Sequence, residues 1–271
     1  MGQVGEGTKP LKLALLVNDT PVGPVVEEFG KYPQIYARWL EESKPTSDIT
    51  FQLDSFDAFE EHTVFPDAEK YDAIILTGSA ASAYSPLPWI DRLKKYVANV
   101  ATAHPQVRLI GICFGHQIIA SALGGECVPN DGTWEIGVTE VPLTPVGKAV
   151  FGTDQIAIQQ FHRDHVPTLP PGFILLGSTT VSAIQGMLLP YPTWSAEALP
   201  SAGETHILTV QGHPEFTGPI VEKIVEVRAK RGILDGPRAA KAKADGYNPH
   251  DGKGCIGQAI WKVMLAGVDT P

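Results

Sequence analysis

The chain has 271 residues, enough to bury a sizeable core, and its 43% apolar and 19% charged residues exclude a disordered composition. With 21 Lys and Arg against 30 Asp and Glu, the formal charge of -9 argues against nucleic acid or an anionic membrane as partner, because both repel a negative surface. Three cysteines do not make a disulfide framework, residues 1–12 do not read as a signal peptide, and no apolar run reaches membrane-span length, so a reducing, cytoplasmic setting is expected.

In chain order, residues 11–17 form an apolar run ending at Asn18-Asp19-Thr20, the pattern of a buried strand entering a loop. Over residues 25–42, Phe29, Tyr32, Ile35, Tyr36 and Leu40 recur at helical spacing, and residues 49–56 alternate as a strand. Residues 73–76 are a wholly apolar strand stopping at Thr77-Gly78-Ser79, and Ile90, Leu93, Val97 and Val100 mark one face of a helix. Residues 108–113 are the next strand, followed at once by a helix over 115–123 with Gly124-Gly125 as its C-cap. This alternation predicts an α/β fold in three layers, a flavodoxin-like, mostly parallel sheet flanked by helices. Short β-type runs at 137–143, 155–161, 173–178 and 183–189 predict a small mixed or antiparallel β extension. Residues 190–204 read as a surface loop, 206–211 as the last core strand and 218–231 as a helix. With no repeat or linker, one domain spans residues 1–271, with its core at 11–231 and a helical tail at 237–271 carrying Ile256, Ile260 and Val263 on one side.

The richest local text is Gly111-Ile112-Cys113-Phe114-Gly115-His116-Gln117, where an apolar strand runs into a helix with glycine two residues to either side of a cysteine. That spacing suits a turn too sharp for flanking Cβ atoms, the logic of the Gly-x-Ser-x-Gly elbow. It would lift the sulfur above the strand ends at a helix N-terminus, whose free N–H groups favour a thiolate, and would aim the N–H of Phe114 at an oxyanion. A buried structural cysteine is the competing reading for a lone cysteine. A thiolate nucleophile needs an imidazole, and His213 closes an apolar strand just before Pro214 and Glu215. Proline holds its predecessor extended, so residues 213 and 215 point the same way, and the carboxylate can orient the ring as the third member of a triad.

These two motifs, in this order and at this separation, resemble the class I glutamine amidotransferases over residues 11–231, most closely the stand-alone members, including the plant γ-glutamyl peptidases. Lys70-Tyr71-Asp72 leading to Thr77-Gly78-Ser79, then Pro88-Trp89-Ile90, and His162 with Asp164 share the resemblance. It implies Cys113 as nucleophile, His213 as general base and then acid, and Glu215 as its orienter. It also implies an oxyanion hole from backbone N–H groups of Gly78, Ser79 and Phe114. Gln117 would contact the glutamyl part of the substrate, and the backbone of Phe161, His162 and Arg163 its α-amino acid end. The chain departs from many synthetase-linked members at Gly78-Ser79-Ala80, where they carry Gly-Gly-Pro or Asn-Gly-Pro, and at residues 161–163, where some carry Asn-x-Gly.

No metal site is expected from His162-Arg163-Asp164-His165, which lacks a second ligand cluster, and no cofactor is expected, because no dinucleotide or phosphate loop follows a strand. Arg163 is a candidate partner for a substrate carboxylate, and Tyr191 and Trp194 are candidates to cap the pocket from their Pro-rich loop. The expected activity is hydrolysis of a γ-glutamyl amide, in a γ-glutamyl peptide or conjugate or in glutamine, through a glutamyl thioester. A glutaminase subunit feeding ammonia to a separate synthetase, and a non-catalytic regulatory module, are the rival readings. Partners are then a small γ-glutamyl molecule and either a synthetase or a second copy of the chain.

Overall fold

The computed structural model describes residues 9–266; residues 1–8 of the polar N-terminal stretch and 267–271 at the end of the tail lie outside the described residues. Strand and helix alternate first, as β1 (Leu11–Val17), α1 (Gly23–Phe29), α2 (Tyr32–Glu42), β2 (Phe51–Asp57), β3 (Ala73–Leu76), α3 (Pro88–Ala103), β4 (Arg108–Ile112) and α4 (Phe114–Ala122). A strand-rich stretch follows, with β5 (Val128–Pro129), β6 (Glu135–Pro142), α5 (Pro145–Phe151), β7 (Gln155–His162), β8 (Asp164–His165), β9 (Ile174–Gly177) and β10 (Gly186–Pro190). The chain closes with β11 (Thr205–Val210), α6 (Gly218–Lys230), α7 (Gly236–Gly246) and α8 (Cys255–Leu265).

Seven strands form the central sheet in the order β2-β1-β3-β4-β11-β10-β9. The first five run parallel, and β10 and β9 add to one edge antiparallel. The extension therefore divides in two: β9 and β10 join the main sheet, while β6 and β7 pair with each other as a separate antiparallel ribbon. In the central strands β3, β4 and β11 every residue is buried, so no exposed polar face alternates with the apolar one, although Arg108, Thr205, His206 and Thr209 are buried polar residues. Alternate residues feed opposite faces. Leu13, Leu15, Ile75 and Ile110 pack with Trp39, Leu40, Val221 and Trp261; Ala14, Leu16, Ile74 and Leu109 pack with Leu93, Val97, Ile118 and Ile119. Helices α2, α6 and α8 thus cover one face, and α3 and α4 the other. Among the described residues no helix is long and apolar enough to cross a membrane.

One local expectation changes, and the tail gains detail. The helix expected over 25–42 is two helices, because Gly30 takes φ 84 and Lys31 N–H donates to Gln34 Oε1 at 3.0 Å to start α2 afresh. The helical tail carries a second helix ahead of the terminal one. It folds as α7 and α8, joined by a segment that grips the β6–β7 ribbon: Asp251 exchanges hydrogen bonds with Ala157, at 2.8 Å through its N–H and 2.7 Å through its carboxylate. Gln159 Nε2 donates to Gly246 O at 2.7 Å.

Trp261 anchors α8. It is fully buried, edges onto Phe51 at 5.6 Å, and donates its indole N–H to Leu40 O at 3.1 Å. Trp261→Ala should cost about 3–5 kcal/mol of stability, read from urea unfolding; a loss under about 1 kcal/mol would mean that α8 is not part of the core.

Candidate active site

In the strand order, β1 connects outward to β2 and β3 then restarts on the other side of β1, so the carboxyl ends of β1 and β3 flank the switch point where open α/β sheets place ligands. Every residue expected to do chemistry lies at that end. Cys113 joins β4 to α4 with φ 53 and ψ -104, one of two described non-glycine residues at positive φ. The flanking glycines make the turn possible. A Cβ at Gly111 would lie 2.9 Å from the Gly115 backbone, and one at Gly115 would lie 2.5 Å from Leu76 O. Cys113 N–H is anchored by Val210 O at 3.0 Å.

His213 follows β11, and its N–H donates to Gln159 O of β7 at 2.7 Å. Its Nδ1 meets Glu215 Oε1 at 2.8 Å, and its ring stacks on Phe216 at 4.0 Å between centroids. Glu215 is buried against α2, where Tyr36 Oη donates to the same Oε1 at 3.3 Å. Cys113 lies close enough to His213 to bear on its charge. Burial works against the charge of the imidazolium. The charge interactions with Cys113 and then Glu215, and the Glu215 hydrogen bond, outweigh it and push His213 up to about 10. Burial instead pushes His116 down to about 3 and His206 down to about 4. The other two thiols, Cys127 and Cys255, are pushed upward by burial, the second to about 11, so they stay protonated at neutral pH.

Gly78 lies against the triad-like set, since a Cβ there would sit 2.7 Å from His213 Cε1. The turn after β3 is clasped by the end of β1. Asn18 Nδ2 donates to Thr77 O at 2.8 Å, and Asp19 Oδ2 accepts from Ala80 N–H at 2.7 Å. Among the described residues no backbone carbonyl accepts from the N–H of Gly78, Ser79 or Phe114.

A cavity of about 250 Å³ opens beside His213, lined also by Ser79, Gln117, Phe161, His162 and Arg163. Cys113, only 4% exposed, does not line it. Gln117 is held with its Nε2 donating to Asp164 O and Gln211 Oε1, both at 3.1 Å. The His162 side chain is committed elsewhere, with Nε2 3.1 Å from Glu135 Oε2 and Nδ1 3.0 Å from Asp164 O. Arg163 lies over the Trp134 ring at 5.6 Å and reaches the cavity. Tyr191 does not cap it: the ring stacks on His206 and its hydroxyl donates to Pro105 O. Trp194 likewise lies outside the cavity lining. No group of three or more His, Cys, Asp or Glu among the described residues is arranged to hold a metal.

Asp19, Tyr36, Glu135 and Arg228 join the site without having been expected from the sequence. Asp19 carried the one available signal, a polar residue at the carboxyl end of a buried strand. The others meet the site only through folding. Replacing Cys113 by Ser removes the largest influence that raises His213, so the imidazole should titrate below about 10 and nearer its ordinary 6.5. Histidine NMR of wild type and Cys113→Ser checks this; equal values would mean that no thiolate–imidazolium pair exists.

The family model for glutamine amidotransferase class-I matches residues 36–223. A glutamine amidotransferase-like protein of Schizosaccharomyces pombe is 32% identical over 88% of this chain and 93% of its own length. Gamma-glutamyl peptidase 3 of Arabidopsis thaliana is 28% identical over 66% of this chain and 68% of its own. The crystal structure of a glutamine amidotransferase from Thermotoga maritima superposes with a TM-score of 0.65 at 16% identity, covering 97% of this chain and all of that one, and so shares its fold. The matched model spans most of the chain, and the chain belongs to the class I glutamine amidotransferase family.

Proposed function

We propose that the protein is a cysteine-nucleophile hydrolase of γ-glutamyl amides, with Cys113, His213 and Glu215 as its catalytic set. The observation that carries this reading is the buried chain of contacts from Glu215 through His213 to Cys113 at the end of a strained strand-to-helix turn. The Cys113 thiolate attacks the γ-carbonyl carbon, and the carbonyl oxygen takes the negative charge. Backbone N–H groups of Gly78, Ser79 and Phe114 receive it; one such donor is worth about 10²–10³ in rate. As the C–N bond breaks, His213 gives its proton to the departing nitrogen, leaving a glutamyl thioester on Cys113. Water then loses a proton to His213 and attacks the thioester, the C–S bond breaks, and the thiolate and imidazolium are restored. Glu215 holds Nδ1–H throughout, which fixes the ring and stabilises its charged form.

Gln117 and the backbone of Phe161, His162 and Arg163 are assigned to the glutamyl end. Gln117 is already oriented by Asp164 and Gln211, and β7 is tied to the His213 strand at Gln159. The Glu135–His162 pair beneath this strand holds the 162–164 turn in place.

A panel of glutamine and γ-glutamyl dipeptides, assayed for released glutamate, tests the reading. Cys113→Ala should abolish turnover, and Glu215→Gln should lower kcat by roughly 10³–10⁴-fold with little change in KM. Undiminished turnover by Cys113→Ala would overturn the assignment.

A further inference from the structure

The cavity is lined from both faces of the sheet, by Gln117 on α4 from one and by Val25, Tyr32, Ile224 and Arg228 on α1, α2 and α6 from the other, with Thr20 and Ile233. His213 and Ser79 also line it. If the glutamyl group occupies the Gln117 side, the scissile nitrogen faces the other side as it departs past His213. Ammonia leaving from glutamine would need no apolar chamber there. An amine carrying an apolar body would fill it.

Arg228 stands in that chamber without a partner. It is half-buried on α6, its Nε is buried with no hydrogen-bond acceptor, and it makes no ion pair among the described residues. Burial, and then the neighbouring Arg231 and Arg163 guanidinium groups, disfavour its charge, and Asp19 and Tyr32 offset only part of this. Asp19 is itself occupied, since its two carboxylate oxygens accept from the N–H groups of Thr20 and Ala80 at 2.7 Å each. A desolvated guanidinium facing a cavity, with a second one close by, is arranged to receive a carboxylate.

We propose that Arg228 is a specificity-determining residue that binds a carboxylate of the leaving group, so that the preferred substrate joins the γ-glutamyl group to an apolar amino acid or short peptide with a free C-terminal carboxylate. This inference rests on the proposed hydrolase reading and assigns its leaving group. The bond broken is the same γ-glutamyl C–N bond, and the amine that takes the proton from His213 departs with its carboxylate still held by Arg228.

The experiment compares kcat/KM for γ-glutamyl-leucine, its C-terminal amide, its glutamyl α-amide and glutamine, in wild type, Arg228→Gln and Arg228→Lys. Wild type should favour the free acid over its C-terminal amide by about 10- to 100-fold, mainly through KM. Arg228→Gln should bring that ratio close to one, and Arg228→Lys should retain part of it. Labelling of Cys113 by an electrophilic glutamine analogue shows whether each variant is folded. If the ratio persists in Arg228→Gln, or if Arg228→Gln abolishes discrimination against the glutamyl α-amide instead, the leaving-group assignment is wrong while the hydrolase reading stands. Glutamine as the best wild-type substrate would likewise overturn the leaving-group assignment alone. If wild type cleaves none of the four, both readings fall together.

Discussion

The backbone at Cys113 is the constraint from which the rest of the site follows. A non-glycine residue at φ 53 and ψ -104 stores on the order of 1–3 kcal/mol, and the surrounding structure has to hold it there. Three features do so. Gly111 and Gly115 give the chain room to turn, Cys113 N–H stays tied to Val210 O, and α4 is locked by the burial of Phe114 and Ile118. A larger residue at 111 or 115 would meet backbone, which cannot yield as a side-chain tip can. The turn in return places the sulfur at the N-terminus of a helix, near the imidazole that follows the neighbouring strand β11.

Burial decides the chemistry of that imidazole. A histidine taken out of water loses its proton readily, as His116 on α4 and His206 on β11 do. His213 is as buried as they are yet shifts the other way, because it lies between two anionic groups. The low dielectric that penalises a lone charge strengthens this paired arrangement. Glu215 is held in turn by Tyr36 from a helix on the far side of the loop, and burial together with Glu215 raises that phenol well above its ordinary value. The phenol therefore remains a donor at any physiological pH.

Much of this was legible in the text. The wholly apolar strands and the glycines two residues either side of Cys113 each report a local geometric demand, and His213-Pro214-Glu215 reports another. What stayed illegible was non-local. Glu135 and His162 pair across the β6–β7 ribbon, and Asp19 clasps a turn 61 residues downstream; neither contact leaves a local pattern. The helical period ran unbroken from Phe29 to Leu40 because α1 and α2 bury the same side, although Gly30 separates them. Within the helical tail, the α7 helix left no face of its own in the text. Its Ala- and Lys-rich text buries only Ala242 and Gly246, so it shows little apolar periodicity. Arg228 lies in the last turn of α6, where a cation is favourable on electrostatic grounds alone, so the text gives it no separate signal.

The central claim is that a covalent acyl group passes through one particular sulfur. Acid quenching during turnover of a γ-glutamyl peptide, followed by peptide mass spectrometry, addresses it directly. A glutamyl adduct on the peptide that carries Cys113, absent when His213 is replaced by Gln, is the result this account requires. Steady turnover with Cys113 unmodified at every quench time, or an adduct on Cys127 or Cys255, would contradict it.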